Sequence, residues 1–284
     1  MKATIERFFV KSLIVMVTAL FLVGTVPSFG VSGIGAISFN TYAIENDGSK
    51  ETQILPAVKV NEDEVPKIDG TSAVIMDMGN GSILYEKNAD KVREPASLTK
   101  VLTALVVLEE MDLDEVVTVQ ENVEIEGSIV GIVPGERLTV EQLLYGMMLE
   151  SGNDAAEALA IACDGGIGEF ADHMNERAAQ CGAENSTFRN PNGLNEDQSR
   201  LNKTTARDMA LISAEAMENE TFRKIVSTTK YKIPKTNKSE ERELINSNLC
   251  LWDKKTKVKI KGKEVPLKYE GCNGIKTGMT SMAL

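Results

Sequence analysis

Apolar and polar positions alternate in different rhythms along the chain, and each rhythm predicts an element. Lys2, Arg7 and Lys11 precede an uncharged apolar run at 13–26, followed by Pro27 and small residues. A positive flank, a run of that length and small residues after it are the pattern of an export signal, whereas a membrane span needs about 20 apolar residues. Small residues suit cleavage after Gly30 (Ser28 at −3) or after Ala43 (Thr41 at −3), and the sequence does not separate them. A polar lead fills 44–70. Residues 73–78 then read as a strand, Asn80-Gly81 signals a hairpin turn, and 82–86 reads as the returning strand. Pro95 opens a stretch, 97–110, that is apolar on most faces: Leu98, Val101, Leu102, Leu105, Val106 and Leu108. A helix of this kind is buried nearly all round.

Helical spacing continues through the middle. Thr139 with Gln142 forms a capping box for a helix towards Leu149, and Asp154 is placed to cap an Ala-rich helix reaching Cys163. Residues 167–181 put Phe170, Met174, Ala178 and Cys181 on one stripe, and 204–217 repeats the pattern. From 228 the period shortens. Lys257, Lys259 and Lys261 alternate with Val258 and Ile260, and Lys261-Gly262-Lys263 turns into a strand over 264–269. A hairpin, a helical block and a return to strands predict an α+β fold whose N- and C-terminal strands share one antiparallel sheet beside a helical subdomain.

Composition narrows the function. With 31 Lys and Arg against 42 Asp and Glu the net charge is −11, so the chain lacks the basic footprint that nucleic acid requires. The single His, His173, rules out a zinc site built on several His ligands and fits a structural role beside the 167–181 stripe. It also leaves hydrolytic chemistry to find its base elsewhere. Cys163, Cys181, Cys250 and Cys272 permit three disulfide pairings or four free thiols. Residues 229–268 hold twelve Lys and Arg against five acidic residues, and a solvated hairpin is favoured over a binding surface.

Three short motifs carry chemistry in combination. Ser97-Leu98-Thr99-Lys100 sets a hydroxyl and an amine one turn apart on the buried helix, where an apolar wall disfavours the charged amine and fits it to act as a base towards Ser97. Ser227 and Lys230 repeat the spacing without an apolar helix behind them. Ser151-Gly152-Asn153 offers a hydroxyl and an amide from a turn between helices. Lys276-Thr277-Gly278, expected in a late strand, offers a cation and a hydroxyl for a carboxylate, with Gly278 allowing close approach at the strand edge.

In this order, SxxK, SxN and KTG resemble the motif set of the penicilloyl serine transferases, and within them the low-molecular-mass penicillin-binding proteins that act as D-alanyl-D-alanine carboxypeptidases. Pro95-Ala96, Pro134-Gly135-Glu136-Arg137, Asn190-Pro191-Asn192-Gly193-Leu194 and Ala206-Arg207-Asp208-Met209-Ala210 strengthen the likeness, which spans about residues 72–283. The resemblance implies a β-lactamase/transpeptidase-like fold and a catalytic domain over 71–284. It implies that Ser97 becomes acylated by a peptidoglycan stem peptide ending in D-Ala-D-Ala, with Lys100 taking its proton and Ser151 relaying a proton to the leaving D-alanine. Asn153 would bind the stem, Lys276 and Thr277 the terminal carboxylate, and the backbone N–H groups of Ser97 and Met279 the oxyanion. β-Lactams are the implied covalent inhibitors. No metal or cofactor is implied, and the implied location is the cell envelope.

Gly152 stands where class A β-lactamases have Asp, and no ExxxN of their type follows, which disfavours β-lactam hydrolysis. An esterase or amidase on the same fold would use the same nucleophile, and a non-catalytic wall-binding protein would use none of it. Met279 stands where that family commonly has an aromatic or His, and Ala283-Leu284 replaces its usual Ala-Gly. The domain is expected to be incomplete at its C-terminus, with weakened folding and activity, and membrane association is expected only through segments beyond residue 284.

Overall fold

The computed structural model describes residues 68–121, 123, 126–194, 201–260 and 262–279. The export signal, most of the polar lead and Ala283-Leu284 lie outside them. Strand β1 (Ala73–Met76) pairs antiparallel with β2 (Ile83–Lys87) across the anticipated turn, in which Gly81 N–H donates to the Asp77 carbonyl at 2.8 Å. Its inner face, Val74 and Met76, packs on Ala206 and Ala210. The hairpin is therefore docked on helix rather than free, as a two-stranded unit must be to persist in water.

A short 3₁₀ turn, Ala96–Thr99, leads into α1 (Lys100–Glu110), and every residue from 100 to 107 is buried. Around it pack α2 (Val140–Leu149), α3 (Asn153–Asp164), α4 (Ile167–Gln180), α5 (Ala206–Glu218) and the short α6 (Glu220–Ser227). The core is largely aliphatic side chains and Met, joined by Phe170, Phe188 and Phe222. The Thr139 capping box forms as expected, with both reciprocal hydrogen bonds present. At α3 the expectation fails: Gly152 is the N-cap, and Asp154 points back to other backbone. Ser227 ends α6 and donates to the Arg223 carbonyl at 2.7 Å, so it is helical rather than strand-like and its hydroxyl is engaged locally.

The remaining strands form three further hairpins: β3 (Val116–Thr118) with β4 (Arg137–Thr139), β5 (Lys230–Ile233) with β6 (Arg242–Ile245), and β7 (Lys257–Ile260) with β8 (Lys263–Pro266). The shared N- and C-terminal sheet is not observed among the described residues: β1 pairs only with β2, and residues 272–279, including Lys276-Thr277-Gly278, run without a ladder partner. Alternating side chains give a segment strand character, but a strand exists only where a neighbour supplies N–H and C=O groups in register. The class remains α+β, with the strands dispersed around a helical core. The basic 229–268 stretch is largely solvated hairpin, as expected, with Lys230–Glu243 and Lys232–Glu241 pairing across β5 and β6. Among the described residues no helix is long and apolar enough to cross a membrane.

Candidate active site

The 3₁₀ turn that leads into α1 holds Ser97 part-buried, and Lys100, the first residue of α1, is fully buried. The Lys100 Nζ donates to Ser97 Oγ at 3.2 Å, to Asn153 Oδ1 at 2.7 Å and to the Asn192 carbonyl at 2.7 Å. Three acceptors fix the amine, yet none is an anion. Burial holds its pKa well below the ordinary lysine value, the nearby Lys276 charge adds to that effect, and Asp154 and Glu157 oppose it.

Ser151 has a left-handed backbone, φ 63°, which turns the chain sharply between α2 and α3. No hydrogen bond joins its hydroxyl to Ser97 or Lys100 among the described residues. Asn153, the first residue of α3, spans two elements: its Oδ1 accepts from Lys100, and its Nδ2 donates to the Glu126 carbonyl at 2.6 Å. Gly152 between them is required by space. A Cβ there would lie 2.5 Å from Val130 Cγ2 and 2.9 Å from Asp154 Oδ1, so the Asp of class A enzymes does not fit this turn.

Asp154, fully buried, accepts from four backbone N–H groups: Val130 at 3.0 Å, Gly131 at 2.9 Å, Ile132 at 3.1 Å and Ala155 at 2.9 Å. It thereby ties the 128–132 loop to the SxN turn. Asp154→Asn puts an NH₂ against two of those donors, and each buried N–H left unsatisfied costs about 1–3 kcal/mol. The variant is expected to lose about 2–5 kcal/mol in a urea melt. An unchanged midpoint would show that the loop holds by other means.

The Asn190-to-Leu194 segment, identified in the sequence only by likeness, clamps the turn that carries Ser97. Thr103 Oγ1 donates to the Pro191 carbonyl at 2.7 Å, Asn192 supplies an acceptor to Lys100, and its Nδ2 donates to Glu157 at 3.0 Å. Gly193, at φ 84°, passes so close that a Cβ would sit 1.9 Å from the Ala96 carbonyl oxygen. The Pro134-to-Arg137 segment proves structural: Glu136 is fully buried and paired with Arg242 at 2.8 Å. Burial raises the Glu136 pKa, but hydrogen bonds from Arg242, Thr236 and the Val133 N–H outweigh it and leave the group below its ordinary value.

Lys276-Thr277-Gly278 reaches the same place without being a strand. A Cβ on Gly278 would lie 3.2 Å from Ser97 N, Leu98 N and the Pro95 carbonyl oxygen, so this glycine admits the chain's own Ser97 turn rather than only a ligand. Lys276 is nearly buried and donates to the Thr277 carbonyl at 2.9 Å, and burial pulls its pKa to about 7. Thr277 Oγ1 lies 3.0 Å from Ser247 Oγ, a neighbour with no signal in the sequence. Met279 is exposed. The three motifs thus converge on one turn from three separate parts of the chain. All four cysteines are free thiols.

Residues 59–284 match the profile of the D-alanyl-D-alanine carboxypeptidase family of peptidases. The chain belongs to that family. A D-alanyl-D-alanine carboxypeptidase of a Streptomyces species is 34% identical over 236 residues, covering 78% of this chain and 75% of the relative. The carboxypeptidase DacF of Bacillus subtilis is 32% identical over 221 residues, covering 76% of this chain and 52% of the relative. The chain therefore spans between about half and three quarters of the length of these carboxypeptidases. Among solved structures, the Streptomyces K15 DD-transpeptidase is similar at TM-score 0.65 and 33% identity, covering 76% of this chain and 82% of that one. A D-alanyl-D-alanine carboxypeptidase of Mycobacterium tuberculosis matches at TM-score 0.65 and 31% identity, covering 77% and 76%. These likenesses bear out both the family resemblance and the fold class read from the sequence.

Proposed function

We propose that this chain is the catalytic part of an exported serine-type carboxypeptidase that removes the terminal D-alanine from peptidoglycan stem peptides in the cell envelope. The observation that carries the reading is a fully buried lysine amine 3.2 Å from a part-exposed serine hydroxyl, with only neutral acceptors around it. Burial in that setting biases Lys100 towards the neutral amine, which donates to Asn153 and Asn192 and takes the Ser97 proton as Oγ attacks the peptide carbonyl. The oxyanion that forms is held by the Ser97 and Met279 N–H groups, one such donor being worth about 3–4 kcal/mol in comparable acyl transfers. Ser151 passes a proton to the departing D-alanine amine, Asn153 binds the stem, and Lys276 with Thr277 holds the terminal carboxylate. Water then cleaves the acyl-enzyme. β-Lactams, which present a carboxylate and a strained amide, acylate the same serine.

Release of free D-alanine from a pentapeptide ending in D-Ala-D-Ala, lost in Ser97→Ala, tests this function. Nitrocefin turnover instead would favour a β-lactamase, p-nitrophenyl ester turnover without D-alanine release an esterase, and wall binding unaffected by Ser97→Ala a non-catalytic protein.

The two lysines have opposite requirements, which sets a pH profile. Lys100 must be neutral, so activity rises as pH climbs past its lowered pKa. Lys276 must be protonated to hold a carboxylate, so activity falls as pH rises through about 7. The profile of kcat/KM, which reports the free enzyme, is expected to be bell-shaped with its alkaline limb near 7. Lys276→Arg, charged at every accessible pH, is expected to move that limb upward. An alkaline limb that stays in place would remove Lys276 from the carboxylate role.

A further inference from the structure

The only histidine of the chain stands with a cysteine and an aspartate at the end of α3 opposite the SxN turn. Cys163 and Asp164 close α3, and His173 faces them from the middle of α4. One ligand atom from each lies within 4.8 Å of the other two, and His173 Nδ1 is 3.1 Å from Asp164 Oδ2. Bonds of about 2.0–2.2 Å to N and O at a tetrahedral angle place those atoms about 3.4 Å apart, so that edge of a zinc polyhedron is already close to its working length. The other ring nitrogen, Nε2, points towards Glu110 Oε1 at 3.9 Å, at the end of α1. A ligating imidazole commonly gives its second N–H to a carboxylate, which fixes the ring. Among the described residues, no Lys or Arg pairs with Asp164 or Glu110, and the C-terminal end of α3 adds partial negative charge to the same spot. The His173 imidazole is the basic group that faces both carboxylates.

We propose that Cys163, Asp164 and His173 bind a borderline-soft divalent cation of the Zn²⁺ type, with Glu110 orienting the imidazole and water completing the shell. One thiol, one imidazole and one carboxylate favour that class over Mg²⁺ or Ca²⁺, which take oxygen ligands. On binding, the Cys163 thiol loses its proton to solvent and sulfur donates a lone pair to the metal. The sequence excludes a site built on several His, but it does not show that one ligand of each kind meets here. At 1.5 Å per residue, α3 places this site about 16 Å from Asn153, so the ion pins α3 to α4 and takes no part in the acyl transfer.

The full chain, stripped with a chelator, is titrated with Zn²⁺ against a chromophoric competitor and separately with Co²⁺. One equivalent of Zn²⁺ is expected, together with a thiolate-to-Co²⁺ charge-transfer band in the near ultraviolet. Cys163→Ser and His173→Gln should weaken Zn²⁺ binding at least tenfold while the metal-free variants keep the wild-type circular dichroism spectrum and a cooperative melt, which shows that both are folded. Glu110→Gln should weaken binding about 10- to 100-fold. Absence of saturable binding, a Co²⁺ complex without the thiolate band, or one-equivalent binding that survives both ligand substitutions would overturn the site. Each of these results is independent of whether the carboxypeptidase reading holds.

Discussion

Replacing Lys100 by arginine is expected to cut the rate of penicillin acylation about 10²- to 10⁴-fold, the usual worth of a positioned general base. Arginine keeps a positive charge but does not deprotonate in a protein, so it offers Ser97 Oγ no base. It is also larger than the fully buried space that Lys100 fills, so part of the effect is steric. Lys100→Met separates the two contributions. It keeps much of the stem volume, removes the amine, and leaves Asn153 Oδ1 and the Asn192 carbonyl without their donor. Both variants are expected to fall into the same range in stopped-flow measurements with a chromogenic β-lactam. A Lys100→Met chain that acylates within tenfold of wild type would show that the base lies elsewhere.

Gly193→Ala is expected to be the most disruptive single-methyl change in the site. Its backbone is left-handed at φ 84°, which costs a non-glycine residue about 1–2 kcal/mol. The added Cβ would also meet the Ala96 carbonyl oxygen at 1.9 Å and its carbon at 2.4 Å, and those atoms are backbone that cannot swing aside. Overpacking of that kind costs roughly a further 1–3 kcal/mol. Because Ala96 directly precedes Ser97, any relief of the clash moves Ser97 out of line with Lys100. Gly165→Ala is the control: it has a similar φ of 81° at the end of α3, but open space where the methyl would go. Equilibrium melts should show about 1–2 kcal/mol lost for the control and roughly 2–5 kcal/mol for Gly193→Ala, with acylation falling only in the latter. Equal losses would mean that backbone conformation, not contact with the nucleophile turn, governs this position.

What is legible in the sequence is local. The first hairpin, the Thr139 capping box and the buried helix behind Ser97 each depend on residues within a few positions of one another, and all three form as expected. Asp154 does not cap α3 as its position suggests, because a capping residue and a carboxylate reaching back some two dozen positions to the 130–132 backbone look identical in sequence. The Lys276 segment departs from its expected strand for a related reason, since alternation reports side-chain pattern and not whether a pairing partner exists. The third acceptor of Lys100 has no signal at all, because it is a main-chain carbonyl, at Asn192, that any residue would supply. Helix α6 goes unread although Asn219 caps it and its buried Phe222, Ile225 and Val226 follow helical spacing. The site residues stand out because their types are chemically distinctive. The groups that hold them in place stay hidden because their contacts are long-range and often made by backbone.

The most direct test of the central claim is intact-mass and peptide mapping of the chain after incubation with a penicillin. The account predicts a single added acyl group on the peptide containing Ser97, absent in Ser97→Ala. Labelling at Ser227, or labelling that persists in Ser97→Ala, would contradict it.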